Sequence, residues 1–234
     1  MALRIGFDMD GVLADFSAAY FAVEDRLFGK PEAPTRAGDP EEERSDGPPA
    51  DDTDQEPVPA QAGQVRELRR RKDAVWKAIR QTPDFWLTLA PTDPEAVRRI
   101  HQLMLQHRWE VFFITQRPAT LGETVQRQTQ RWLLNQGFDM PSVLVVPGSR
   151  GAAAAALTLD YLVDDSPKNC IDVKSESKAK PILIVEGEDK DLVASARRLG
   201  IETAASIAQV LDALEQARSK PGILERLAQF AGLR

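Results

Sequence analysis

The stretch LRIGFDMDGVLADF, residues 3–16, decides how the rest of the chain is read. Residues 3–7 are an apolar run of strand type, and the run ends in Asp8, Met9, Asp10 and Gly11. Asp and Gly are ordinary turn formers. Taken alone, the two aspartates therefore read equally well as a chain reversal or as carboxylates held out for chemistry. What stands at the ends of the other strands decides between the two.

Working outward, apolar runs of strand type alternate with segments of helical spacing. Residues 14–28 space Phe16, Tyr20, Val23 and Leu27 as a helix does, and 64–80 reads as a basic amphipathic helix. After the turn QTPDF, Asp93 reads as an N-cap with Pro94 at the first helical position. Strands are expected at 111–115, 143–146, 160–165 and 181–185, the last clear one. Helices are expected at 120–136, 151–157, 189–199 and 206–230. The strands are apolar at nearly every residue, as in a parallel sheet buried on both faces. The expected fold is thus α/β, a doubly wound (Rossmann-like) parallel sheet with helices on both faces.

In such sheets ligands bind beyond the carboxyl ends of the strands. The first strand ends in Asp8 and Asp10. The strand VFFI ends in Thr115, followed by Gln116 and Arg117, and YLV ends in Asp164 and Asp165, then Ser166 and Pro167. Four carboxylates gathered at one edge repel one another unless a cation neutralises them. An oxygen-only donor set with no His or Cys cluster selects a hard divalent ion, above all Mg²⁺, which commonly shares its coordination with phosphate oxygens. Phosphate chemistry is the expectation.

In this order, FDMDGVLADF, FFITQRP and YLVDDSP resemble the haloacid dehalogenase-like superfamily. DMDGVLADF together with TPDFWLTLAP resembles its 5′(3′)-deoxyribonucleotidase-like branch. The resemblance implies an Mg²⁺-dependent phosphomonoester hydrolase working through an aspartyl-phosphate. Asp8 would be the nucleophile, and Asp10 the acid toward the leaving alkoxide and then the base for water. Mg²⁺ would take Asp8, the Asp10 carbonyl and Asp165, with Asp164 bound directly or through water. Thr115 and the amides after it would bind the phosphoryl group. Gln116 and Arg117, next in the sequence, are further phosphate-binding candidates, and Arg117 reads either as a grip on a substrate phosphate or base or as a loop arginine paired with a surface carboxylate.

The family's third motif is usually a Lys, and the region before the DD pair has none. Arg150 in GSRG is the favoured substitute and Lys168 the other. That departure keeps two further readings open, a noncatalytic phosphate-binding or interaction module and a phosphotransferase.

Residues 31–60 hold 10 acidic residues, 2 basic ones and 7 prolines, a net charge of −8 against −6 for the whole chain. The segment, extended to 31–63, is expected to be disordered, because it cannot bury enough apolar surface to offset its ordering entropy. It interrupts the α/β pattern, so 1–15 and 91–234 read as the core and 16–90 as a helical cap inserted into it. The aromatic residues Phe16, Trp76, Phe85 and Trp86 of that insertion are either packing or a stacking platform for a nucleobase.

The net negative charge and the lack of a basic stripe argue against a nucleic-acid duplex as partner. A small phosphorylated substrate is the expected partner. Cys170 is the chain's one cysteine, which excludes an intrachain disulfide. With no leader pattern and no long apolar run, the expectation is a cytoplasmic protein without a membrane span. The oligomeric state is not legible.

Overall fold

The computed structural model describes residues 2–30, 59–185, 187 and 189–217. Residues 31–58, the bulk of the acidic segment, lie outside the described residues, as does the part of the expected C-terminal helix beyond 217. The described elements in chain order are β1 (Arg4–Asp8), α1 (Phe16–Phe28), α2 (Pro59–Gln81), a 3₁₀ turn (Phe85–Leu87), α3 (Ala96–His107), β2 (Glu110–Thr115), α4 (Val125–Asn135) and β3 (Val143–Val145). They continue with α5 (Arg150–Ala156), β4 (Tyr161–Asp164), α6 (Pro167–Glu176), β5 (Lys180–Ile184), α7 (Lys190–Arg198), β6 (Glu202–Ala204) and α8 (Ile207–Ala217).

The six strands form one parallel sheet in the order β3-β2-β1-β4-β5-β6. β1 lies at the centre, where the winding reverses, so a crevice opens beyond its carboxyl end. Strand side chains alternate between faces. Ile5, Phe7, Val111, Phe113, Val163 and Ile182 feed one apolar cluster, which also takes in Val97, Ile100, Trp132 and Leu211 from α3, α4 and α8. On the opposite face Ile114 and Leu162 meet Ala154 of α5 and Val173 of α6. Farther out, Leu183 meets Cys170 and Ala196.

Three helix starts and one strand differ from the sequence reading. α2 begins at Pro59, so 59–63 are helical rather than part of a disordered segment. Pro is tolerated in a helix's first turn, because the N–H it lacks has no intrahelical partner there. α3 starts at Ala96 with Glu95 at the cap, since Asp93 accepts the Glu95 amide in a turn of its own (2.9 Å). α4 starts after Thr124, whose hydroxyl accepts from the Arg127 amide (3.3 Å). The edge strand β6 is additional. Its three residues, ETA, carry no apolar run to announce it.

The stretch 16–90 leaves and rejoins the sheet at one place. The Asp15 amide donates to the Ala90 carbonyl (2.8 Å) and the Thr92 amide to the Leu13 carbonyl (2.9 Å). Between them, Phe16, Tyr20, Val75, Ile79, Phe85 and Trp86 are buried in the same apolar cluster as one face of the sheet. No helix among the described residues is long and apolar enough to cross a membrane.

Candidate active site

The site begins with the register of the two central strands. Gly6 lies beside Leu162 and Phe7 beside Val163, one step short of Asp8 beside Asp164. Asp8 and Asp164 therefore project from neighbouring strand ends on one face, the face that α5 covers. α5 can lie close because its sequence, RGAAAAA, is small-sided. Its N-terminus is held by Ser149, whose hydroxyl accepts from the Gly151 and Ala152 amides (3.0 and 3.2 Å) and donates to Glu176 of α6 (2.5 Å). Gly151 sits so tightly against α6 that a Cβ there would lie 2.2 Å from the Asp172 carbonyl oxygen.

This docking delivers Arg150 to the strand ends. Its Nη2 donates to Asp8 Oδ1 at 2.7 Å, and its Nε lies 3.7 Å from Asp164 Oδ2. The guanidinium thus stands between two carboxylates. The second oxygen of Asp8 accepts the Asp10 amide at 3.0 Å, which ties the strand end to the turn that follows. Gly11 allows that turn, with φ at +75°.

Asp164 is fully buried and accepts from the Ser166 amide (2.9 Å) and from Asn169 Nδ2 at both oxygens (3.1 Å each). Burial, and after it the Asp8 charge, pushes its carboxyl up to about 7, against the pull of Arg150, Ser166 and Asn169. Asp165, the next residue, is half-buried. Burial likewise pushes the Cys170 thiol up, helped by the nearby aspartates, so Cys170 does not serve as a thiolate nucleophile.

Asp10 meets a different cation. Arg117 Nε reaches both of its oxygens (3.1 and 2.9 Å) and Nη2 reaches Oδ1 (2.7 Å), with both side chains fully buried. Nη1 donates to Thr129 Oγ1 of α4 (2.9 Å), and the guanidinium carbon lies 4.8 Å from the Trp86 ring centroid. The sequence left Arg117 as a phosphate ligand or as a loop arginine paired with a surface carboxylate. In the structure its hydrogen bonds go to a carboxylate, Asp10, which is buried rather than at the surface, and to Thr129.

Thr115 closes β2, fully buried, and its Oγ1 has no hydrogen-bond partner among the described residues; the same holds for Arg150 Nε and Nη1. Buried donors without partners are costly and call for an explanation. Here three such atoms sit at the strand ends.

The remaining predicted residues lie elsewhere or do something else. Lys168 is a correction: just after Pro167 on α6 it points into solvent, 74% exposed, with its ammonium 3.5 Å from Asp172 one turn on. Gln116 is half-buried and its amide lies 3.4 Å from the Pro147 carbonyl. Phe16, Phe85 and Trp86 are not an open platform. They are buried against one another, with Phe16 at 5.6 Å from Trp86 and 6.5 Å from Phe85 between ring centroids. Trp76 stacks on Phe16 at 5.5 Å and is the half-buried member of the four.

Sequence reasoning missed Thr129 and Asn169. The signal for Asn169 was its place one turn into the helix after the DD pair. Thr129 lies in a polar stretch of α4 that offered none.

The donor chemistry fits a hard divalent cation. Asp8 and Asp164 supply oxygens only, and their mutual repulsion is met by one guanidinium. Among the described residues no three carboxylate, His or Cys side chains close on a common point. Mg²⁺ does not require that, since one or two carboxylates with water and phosphate oxygens suffice.

No protein-family model matches the sequence, and no curated protein does. Solved structures do match. A hydrolase from Pseudomonas syringae aligns with TM-score 0.53 at 15% identity, over 92% of this chain and 99% of that one. L-2-haloacid dehalogenase from Xanthobacter autotrophicus, with chloropropionic acid covalently bound, gives 0.53 at 12% identity, over 92% and 99%. A haloacid dehalogenase-like family hydrolase from Streptococcus pneumoniae gives 0.50 at 16%, over 90% and 97%. At these identities the likeness shows the fold: the chain carries the parallel α/β fold of haloacid dehalogenase-like hydrolases.

Proposed function

We propose that the chain is a phosphomonoester hydrolase in which Asp8 accepts the phosphoryl group. The observation that carries this reading is the set of unpartnered buried donors, Thr115 Oγ1 with Arg150 Nε and Nη1, beside a carboxylate at the carboxyl end of the central strand. Donors so placed suit the oxygens of a transferring phosphoryl group.

In this reading an Asp8 oxygen attacks phosphorus and the bond to the substrate oxygen breaks, with the Asp10 proton passing to the departing alkoxide. Water then attacks phosphorus and gives a proton to Asp10, and orthophosphate leaves Asp8 free again. Arg150 and Thr115 hold the non-bridging oxygens throughout. Mg²⁺ held by Asp8 and Asp164, with Asp165 and the Asp10 carbonyl as the further donors the family resemblance implies, would supply positive charge to the transferring group. Residues 16–90 act as the cap. A nucleoside monophosphate is the substrate suggested by DMDGVLADF and TPDFWLTLAP, and Trp76 is the ring with surface left for a base.

Asp8→Asn tests the reading, with 4-nitrophenyl phosphate as substrate and Mg²⁺ present or chelated. The expected result is Mg²⁺-dependent release of phosphate by the wild type and none by the variant. Retained activity in Asp8→Asn removes the nucleophile. One observation favours a second reading, a noncatalytic phosphate-binding module: Arg117 engages both oxygens of Asp10. A wild type that binds Mg²⁺ but hydrolyses no ester of a broad panel supports that alternative.

A further inference from the structure

We propose that Arg117 is a positioning residue for the acid–base step, an inference that rests on the hydrolase reading above. Its fork grips Asp10 at 2.7–3.1 Å, and it is held from two further sides by residues far from the DxD turn. Thr129 on α4 takes Nη1. The Trp86 ring lies against the guanidinium. Trp86 is itself anchored, its amide to Gln128 Oε1 of α4 (3.0 Å) and its indole N–H to the Pro118 carbonyl (2.9 Å).

The loop that carries Arg117 is bound in turn to the segment before the 3₁₀ turn. The Asp84 amide donates to the Leu121 carbonyl (2.8 Å) and Asp84 Oδ1 accepts from the Glu123 amide (2.7 Å).

A planar guanidinium joined to a carboxylate by more than one bond fixes where that carboxylate lies, which a rotatable ammonium does not. The aim of Asp10 is therefore set by the insertion's last turn and by α4, not by the DxD turn alone. Proton transfer requires the carboxyl within hydrogen-bond reach of the leaving oxygen. A misplacement of about 1 Å can lower the rate about 100-fold. The consequence falls unequally on substrates. An alkyl phosphate needs its departing oxygen protonated, whereas 4-nitrophenolate leaves without that help.

The test compares kcat/KM for 4-nitrophenyl phosphate and glycerol phosphate in wild type, Arg117→Lys, Thr129→Val and Asp10→Asn, with and without Arg117→Lys added to the last. Arg117→Lys is expected to slow the alkyl ester at least about tenfold more than the aryl ester, a part of the ~10²–10⁴-fold that general acid catalysis supplies. It should leave that selectivity unchanged on the Asp10→Asn background. Thr129→Val keeps the ion pair and removes one anchor, so it shifts selectivity the same way by less, and it serves if Arg117→Lys does not fold.

Equal falls for both esters in Thr129→Val and in any folded Arg117→Lys, with rates taken per folded protein, overturn the inference while leaving the hydrolase reading intact. So does a selectivity unaltered in both single variants. A wild type that hydrolyses neither ester overturns the hydrolase reading and this inference with it.

Discussion

Arg150 stands between Asp8 and Asp164, both of them buried. Removing it leaves two carboxylates facing each other, and breaking a buried pair in this way costs about 3–5 kcal/mol. Arg150→Ala is therefore expected to lower both melting temperature and activity, the latter by at least about 100-fold, the effect of removing a charge-stabilising donor. Steady-state kinetics corrected for folded fraction checks this.

Asp164 adds a pH dependence. Its folded carboxyl titrates near 7, above its ordinary value of 3.8, so between the two the folded state holds a proton that the unfolded chain has released. Its contribution to the stability of Mg²⁺-free protein therefore falls as pH rises from about 4 through 7. Asp164→Asn, which stays neutral, is expected to gain in melting temperature relative to wild type between pH 5 and pH 8 in chelator. A constant gap would contradict this.

At this scale the positions of the strand-end carboxylates and Thr115 were legible, because strand ends in a parallel sheet point to one crevice; Arg150, which opens α5, was reached only through the third motif of the resemblance. The Asp10–Arg117 bridge was not. It joins residues 107 apart, and no local pattern encodes which carboxylate a loop arginine will meet.

α5 is the element that sets the site. A glycine within a helix ordinarily costs about 0.8–1.0 kcal/mol relative to alanine, so Gly151→Ala would stabilise an exposed helix. Here the new methyl would lie 2.2 Å from the Asp172 carbonyl oxygen, backbone that cannot turn aside. Overpacking of this kind costs about 1–3 kcal/mol and outweighs the propensity gain. Gly151→Ala is thus expected to lower the melting temperature by several degrees, at ~2–4 °C per kcal/mol for a chain of this size. It should also reduce activity by moving Arg150, and thermal denaturation alongside the aryl phosphate assay reads both.

Elements with an apolar period were readable from sequence, while their limits were not. Asp93 looked like a cap because the acid-proline signature is the same whether the helix starts there or two residues on. β6 escaped notice because a three-residue edge strand is defined by its neighbour, β5, rather than by its own composition.

For the whole molecule, the parallel order with β1 central gathers groups from β1, β2, β4 and α5 at one crevice. The fold class was legible because both-face burial leaves runs of apolar residues and helices separate them. What could not be read was how 16–90 sits on the sheet, since its aromatic residues would look alike as core or as platform. The acidic 31–58 remains a reading of composition alone.

A ligand that bridges the crevice should stabilise the entire fold by linkage, by about 2.7 kcal/mol at a hundredfold excess over Kd. Mg²⁺ with orthovanadate is expected to raise the melting temperature of the wild type by several degrees and that of Thr115→Ala by clearly less. An equal rise in both would remove Thr115 from the anion site.

In the proposed reaction Asp8 carries the phosphoryl group. Protein mixed briefly with an acyl phosphate and Mg²⁺, quenched in acid and digested, should yield the peptide containing Asp8 with the added mass of one phosphoryl group, and Asp8→Asn should not. A phosphorylated peptide from elsewhere in the chain, or an adduct that persists in Asp8→Asn, would contradict the account.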